Sequence, residues 1–513
     1  MTESEDQAET IAFLCRAKAY GVADTVKRID THAAVVFLAG EYAFKLKRAV
    51  RYPYLDFSTV DRRRAVCEAE LKLNRRTAPD IYLEVRCVGR MSDGSLALGA
   101  GEPVDWVVVM RRFPPECLLE AMAKEGPPAP DLLRDLADGI AAFHDDAEVV
   151  PCAGADRVRS VIDGNRASMD ALSDGLLPKE DCARLHEASL ALLEDLSSLL
   201  DARARSGHVR HCHGDLHLAN ICLWKGKPTL FDCLEFDPEL ATTDVLYDLA
   251  FLIMDLWQRG LHEEASLVFN RYCDMRAEND GLAAMPLFLS MRAAVRAHVG
   301  ASAAGRQESA AGFDAKIGEA RGYLSAALAF LDRPAPRLVA VGGLSGTGKS
   351  TLAGRLAAQL GGAPGARWLR SDVLRKRMAG VSPEDRLSAD AYTREHSEEV
   401  YRRLGEEARM ALAAGATVLV DAVFADPAER AAMAAVAVNN GMPFAGLGLE
   451  ADPAVLRERV GVRTGDASDA DAAVVDRQLD YALGDLSDWH RVDAGGTPDA
   501  TLAAARRVIE PGS

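Results

Sequence analysis

The sequence predicts two domains of different class: an α+β domain, in which a small sheet precedes a body of helices, and then an α/β domain built on a parallel sheet. Three observations lead there. A chain of 513 residues is too long for one hydrophobic core, because chains beyond roughly 250–300 residues divide. Pro334 and Pro336 in LDRPAPRLV bias the residues before them away from helix and stand directly ahead of an apolar run. The order of elements also changes at that point, from strands followed by helices to alternation of strand and helix. Domains are expected over residues 1–333 and 337–513.

In the first part a helix-like opening leads to HAAVVFLAGEYAFKLKRAV, two β-rich runs joined at Ala39, Gly40 and Glu41 as a hairpin. VDRRRAVCEAELKLNRRTAP has helical spacing, and VDWVVVMRRF reads as a strand. DLLRDLADGIAAFH and HEASLALLEDLSSLL then repeat apolar residues at three and four, the pattern of a helix with one buried face. Beyond the linker come RLVAVGGL, a glycine-rich turn, STLAGRLAAQL, ARWLRSD, a long helix, GATVLVDAVF, AERAAMAAVAV and PFAGLGLE. Such alternation builds a parallel sheet covered by helices. There is no internal repeat.

Lys and Arg number 60 against 77 Asp and Glu, a net charge of −17, which argues against a chain built to wrap nucleic acid phosphates. Most of that charge falls before residue 335, since residues 335–513 carry 21 basic and 25 acidic side chains. The 49% hydrophobic and 27% charged content is that of a globular protein. The opening MTESEDQAET is acidic where a secretory signal is basic and then apolar, and no run reaches about 18 apolar residues, so a cytoplasmic protein without membrane contact is expected. The ten cysteines lie between Cys15 and Cys273 without a C-x-x-C pair and read as reduced thiols. His211, Cys212 and His213 do not make a metal site, because adjacent side chains of an extended segment point to opposite faces.

Gly343 to Ser350, GLSGTGKS, satisfies G-x-x-x-x-G-K-[ST] between an apolar strand and an amphipathic helix. Phosphate oxygens need several donors at short range. Gly343, Gly346 and Gly348 let backbone N–H groups approach at a helix N-terminus, with Ser345, Thr347 and Thr351 completing the cradle. Lys349 is expected on the β/γ phosphates, and Ser350 with Asp421, at the end of TVLVDAVF, on Mg²⁺. Asp372 and Arg375, in RSDVLRK after the second strand, share a helix face that could address an acceptor hydroxyl and a phosphate, with Asp372 as the base. Arg459 and Arg463, four residues apart in LRERVGVRTGDASDAD, suit a mobile lid closing over the transferring phosphate. Together these segments, over about residues 337–510, resemble the P-loop kinase group that includes gluconate kinases, polynucleotide kinases and zeta-toxin-like enzymes.

In the first part, HCHGDLHLANICLWKGKPTLFDCLEFD holds His213, Asp215 and Asn220 in H-x-D-x-x-x-x-N spacing, then Asp232 at the end of a strand-like run. Phosphoryl transfer requires such a set. Asp215 fits the carboxylate that orients and deprotonates the acceptor hydroxyl, while Asn220 and Asp232 fit the Mg²⁺ ligands. His213 is expected to support the loop, and His217 has no assigned role. With GEYAFKLK upstream and TTDVLYDLAFLIMDL downstream, these residues closely resemble the aminoglycoside phosphotransferase family over about residues 30–330. That resemblance implies a bilobal, protein-kinase-like fold, with an N-lobe over about 30–110 and a C-lobe over about 111–330. It implies that Lys45 is the lysine on the nucleotide phosphates, with Lys47 on the same strand face as the alternative. It also implies a carboxylate partner, Glu68 or Glu70, from CEAELKLN, and adenine contact near Met110. The absence of G-x-G-x-x-G and of D-F-G suits the small-molecule branch of that fold.

The whole arrangement resembles a bacterial two-domain family described as bifunctional. The expected activity is ATP- and Mg²⁺-dependent transfer of the γ-phosphate to a hydroxyl of a small molecule, at each of two sites. Two other readings are a chain in which one site transfers and the other senses nucleotide, and a toxin-like kinase of macromolecules. The acidic balance of the second part gives an RNA substrate no support.

Overall fold

The computed structural model describes residues 6–509 apart from 53–54, 174, 306, 308 and 462–466, and apart from the side chain of residue 389. The chain forms two compact units, Met1–Cys152 with Ala204–Asp248, and Ala153–Arg203 with Leu249–Ser513.

The first unit is organised by a six-stranded antiparallel sheet in the order Lys27–Asp30, Ala34–Ala39, Tyr42–Lys47, Glu102–Arg111, Tyr82–Arg90, Leu96–Leu98. Side chains alternate across the sheet, so Phe44 and Leu46 join Val35, Phe37, Val107 and Val109 in one apolar layer while Lys45 and Lys47 emerge together on the other face. The helix Val60–Asn74 starts where the Thr59 hydroxyl accepts from the Arg62 amide. Its buried residues, Arg63, Cys67, Glu70 and Asn74, recur at four, three and four and therefore form one face. Its charged members meet charged partners, Arg63 Nε lying 2.8 Å from Asp105 Oδ1, while Cys67 packs among Ala78, Ile81 and Val108.

The segment 204–248 returns to this unit as a short pairing of Val209–His211 with Thr242–Asp244 and a hairpin, Ile221–Trp224 with Lys227–Leu230. Lys225 and Gly226, at the hairpin tip, both have positive φ, 50° and 80°, the backbone a two-residue type I′ turn demands. Its register sets Ile221 opposite Leu230, which brings Asn220 at one end of the hairpin beside the segment that begins with Phe231.

In the second unit five parallel strands run in the order Arg367–Arg370, Val418–Asp421, Leu338–Gly343, Phe444–Glu450, Trp489–Asp493. Val339, Val341, Leu419 and Leu447 are buried in the sheet, as expected for strands covered on both faces. The helices Met285–Ala304 and Ala310–Leu331 pack closely through small residues, a Cβ on Gly300 standing 3.4 Å from that of Ala320. The units do not divide at Pro334–Pro336, because the helix His262–Arg276 is fastened to the strand Arg367–Arg370. Asn270 accepts from the Trp368 amide at 2.7 Å and donates to the Ala366 carbonyl at 3.1 Å, and Asp274 lies 2.8 Å from the buried Arg367. A side-chain amide thus closes the sheet edge. Among the described residues no helix is long and apolar enough to cross a membrane.

Candidate active sites

The first site is a buried meeting of charges from three elements. Lys45, on the strand Tyr42–Lys47, lies 2.8 Å from Glu70 Oε1 on the helix and 2.6 Å from Asp232 Oδ1 just past the hairpin. Glu70 is therefore the carboxylate partner that spacing left open. Glu68 points away, exposed and paired with Arg64 at 2.9 Å. Lys47 is buried and does not replace Lys45; its ammonium stands 2.6 Å from Glu70 Oε2 and hydrogen-bonds Glu235. Burial works to raise the pKa of Glu70, but the two ammonium groups prevail and hold it well below the ordinary carboxylate value. Lys45 is held charged by the opposite route, burial working against the ammonium and Asp232, Glu70 and Glu235 overcoming it.

Asp215 and Asn220 are joined by a 2.8 Å bond from the Asn220 amide to Asp215 Oδ2. The Asp215 carboxylate remains 42% exposed, with His217 Nε2 at 3.4 Å. His217 also caps the turn Leu218–Asn220 by accepting from the Ala219 amide. His213 does the supporting work expected of it, its Nε2 meeting the Phe231 carbonyl at 3.0 Å. The bond to Asp215 uses the Asn220 nitrogen and leaves its side-chain oxygen as the group able to ligate. Beside the partly exposed Asp232 this is a hard, all-oxygen donor set, which fits Mg²⁺. Met110 lies within its strand, in register with Ala43 and Tyr82.

The second site follows the central strand of the parallel sheet. Gly346 has φ 87°, and a Cβ there would stand 2.6 Å from the Leu456 carbonyl oxygen. Only glycine fits. Gly348 caps the helix Lys349–Gln359 in the left-handed region, and Lys349 Nζ donates to the Leu344 carbonyl at 3.1 Å. Gly343 closes the strand with φ 144°. Ser345 and Thr347 are buried in the loop, Thr347 Oγ1 donating to Leu344 O at 2.8 Å, and Thr351 is exposed.

The Ser350 hydroxyl donates to Asp421 Oδ2 at 2.7 Å, and burial pushes Asp421 up to about 6 despite the nearby Lys349. A buried carboxylate beside a hydroxyl, in a position that burial makes unfavourable for its charge, is a fit place for a divalent cation. Asp372, half-buried in the first turn of the helix Ser371–Met378, is close enough to raise Asp421 further. Arg375 stacks 4.8 Å from the Tyr392 ring and donates to the Ala391 carbonyl at 2.6 Å. Arg459 bonds the carbonyls of Ala494 and Gly496 at 2.8 and 3.1 Å, so this structure gives it a carbonyl-capping position. Arg463 lies outside the described residues.

The model of the phosphotransferase enzyme family matches residues 59–285, and that of an AAA domain matches residues 338–483. Uncharacterized protein Rv2004c of Mycobacterium tuberculosis is 30% identical over 493 residues, 93% of this chain and 94% of its own length. The chain belongs to this two-domain family, a phosphotransferase domain followed by a P-loop kinase domain. Uncharacterized protein Mb2027c of Mycobacterium bovis matches with the same figures. Among solved structures, a choline/ethanolamine kinase family protein from Mesorhizobium loti is 15% identical, covering 63% of this chain and 98% of its own, with a TM-score of 0.37. A gluconokinase from Sinorhizobium meliloti is 24% identical, covering 35% of this chain and 97% of its own, with a TM-score of 0.25.

Several residues of the phosphotransferase and P-loop kinase domains escaped the sequence reading. Asp248 accepts from the amides of His213 and Gly214 at 3.1 and 2.8 Å and meets His144 Nε2 at 3.1 Å, so it fixes the backbone ahead of Asp215. Cys212 joins His144 and Asp248 in one buried cluster, but these bonds and the Cys212 contact with the Thr243 carbonyl at 3.5 Å account for it as loop support. In the P-loop kinase domain the Gln478 side chain accepts from the Ser345 amide at 2.7 Å, and Tyr401 accepts from Phe424, a non-glycine with φ 51°, at 3.0 Å. TTDVLYDLAF offered a signal for Asp248; nothing local marks Gln478.

Proposed function

We propose that the chain is a bifunctional phosphotransferase that uses ATP and Mg²⁺ at two sites, each moving the γ-phosphate to a hydroxyl of a small molecule. The observation that carries the reading is that Lys45, Glu70 and Asp232 meet in one cluster, and that the residue before Asp232, Phe231, donates its amide to the carbonyl of Asn220, the partner of Asp215, at 3.0 Å. Lys45 holds and orients the nucleotide phosphates, and Glu70 keeps that lysine charged and aimed. Asp215 accepts the proton of the acceptor hydroxyl as the new P–O bond forms and the bond from the γ-phosphorus to the bridging oxygen breaks to release ADP, and Asn220 fixes the rotamer in which it does so. Asn220 and Asp232 would hold the divalent ion, which balances phosphate charge when bound.

In the P-loop kinase domain the loop amides and Lys349 bind phosphate, Ser350 and Asp421 would hold the ion, and Asp372 takes the acceptor proton. The net charge of −17 favours small acceptors over nucleic acid. The test is ATP consumption by the whole chain against aminoglycosides, sugars, amino alcohols and nucleosides, repeated with Asp215→Asn and with Asp372→Asn. Two acceptor-dependent activities, each lost in one variant only, are expected. Acceptor-dependent turnover that survives both substitutions would refute the assignment.

A further inference from the structure

Two charged residues beside the first site have no part in the transfer just described: Lys47 and Glu235, both nearly closed off from solvent. Lys45 and Lys47 leave the same face of one strand, about 7 Å apart along it, and Glu70 lies between them. Its Oε1 is 2.8 Å from Lys45 and its Oε2 is 2.6 Å from Lys47. Lys47 in turn donates to Glu235. The result is an alternating chain, Asp232, Lys45, Glu70, Lys47, Glu235, buried apart from the partly exposed Asp232 and with one more carboxylate than ammonium. Stability does not account for it, since apolar residues of similar volume commonly replace buried ion pairs without loss.

Position does account for it. Glu235 lies three residues after Asp232, whose φ is 60°, a left-handed conformation uncommon outside glycine that the surroundings hold in place. Those surroundings are a row of anchors. The Asp232 amide donates to the Tyr82 hydroxyl at 3.2 Å, the Cys233 amide to Asn74 Oδ1 at 2.9 Å, and the Leu234 amide to the His213 carbonyl at 2.9 Å. Lys47 then takes the Glu235 side chain. The segment carrying Asp232 is thereby fixed to the strand that carries Lys45, and Glu70 keeps a cationic partner whenever Lys45 turns to phosphate.

We infer that Lys47 and Glu235 are positioning residues for phosphoryl transfer in the phosphotransferase domain, setting the Asp232 carboxylate and Glu70 for ion and nucleotide. This rests on the reading of Asp232 as the ion-side carboxylate. The test uses the full chain with Lys349→Ala, which silences the P-loop, and adds Glu235→Gln, Lys47→Met or Lys47→Arg. Binding of a fluorescent ADP analogue is titrated with Mn²⁺, and amide exchange is followed over residues 231–237.

Glu235→Gln and Lys47→Met should raise the Mn²⁺ midpoint by about tenfold or more, the usual effect of losing a partner behind a metal ligand. Nucleotide affinity at saturating Mn²⁺ should change far less, exchange over 231–237 should accelerate, and Lys47→Arg should stay near the parent. A Glu235→Gln chain that melts lower but keeps its Mn²⁺ midpoint would overturn the inference and leave the pair as packing. If the Lys349→Ala parent binds no Mn²⁺–ADP, the phosphotransferase reading itself fails. The exchange measurement then decides alone, and unchanged exchange in Glu235→Gln counts against the positioning role.

Discussion

Asp274→Ala should be among the most damaging substitutions in the P-loop kinase domain's unit, although Asp274 lies outside that domain in sequence. Its Oδ1 is 2.8 Å from Arg367 Nη1 and its Oδ2 accepts from Arg370 Nη2 at 3.0 Å. Burial works to raise its pKa, and Arg367 and Arg370 overcome it, so the pKa falls below the ordinary value and the carboxylate stays charged. The Arg367 side chain is 0% exposed; without Asp274 its hydrogen bonds run only to the neutral oxygens of Asn270, Asn279 and the Trp368 carbonyl, with the Glu407 carboxylate acting from farther off. Breaking a buried pair by removing one partner costs about 3–5 kcal/mol. At roughly 2 °C per kcal/mol for a unit of this size, the melting temperature should fall by about 6–10 °C.

Arg370 precedes Ser371 and Asp372 directly, so acceptor-dependent turnover at the second site should fall as well. Calorimetry of the whole chain reads the first effect and an ATP-consumption assay the second. Asp274→Asn, which keeps the shape and one acceptor, should lie between. A fragment beginning at residue 337 lacks Asn270 and Asp274 and should melt lower than the whole chain. An Asp274→Ala protein melting within about 1 °C of the parent would refute the claim that this seam holds the unit together.

Gly346→Ala should abolish nucleotide binding at the P-loop while leaving the Asp215-dependent activity intact, because its Cβ would meet the Leu456 carbonyl at 2.6 Å; fluorescent nucleotide titration checks it. Asn220→Ala and Asp232→Ala should weaken ion-dependent nucleotide binding at the first site, whereas Asp215→Asn should keep binding and slow transfer by about 10²–10⁴, read as a split between affinity and turnover. Burial lowers the pKa of His298 to about 4. The unfolded chain therefore binds the proton more readily, and the stability due to the neutral ring is complete above about pH 6.5 and lost as pH falls from there toward 4. That loss should be about 3 kcal/mol, and melts of His298→Gln across this range should show a flatter decline.

Much of both sites could be read from the chain because their chemistry is local. The P-loop packs backbone donors, cation and hydroxyl into Gly343–Ser350, and Asp215 and Asn220 sit five residues apart within one segment. The strand-and-helix order on either side of Pro334 fixed the class of each fold for the same reason, since periodicity is a property of neighbouring residues. Choices between equivalent positions were not local. Glu68 and Glu70 are two residues apart and point to opposite sides of their helix, and only the placement of that helix against the sheet made Glu70 the partner of Lys45. Lys47 and Glu235 are 188 residues apart, and each looks in sequence like solvated surface charge. Arg367 and Asp274 lie on opposite sides of the linker that marks the sequence boundary, yet they share one core. Burial changes what a charge does: in water these groups would be screened and interchangeable, whereas inside the protein each must face its own counter-charge, and the tertiary structure alone decides which one that is.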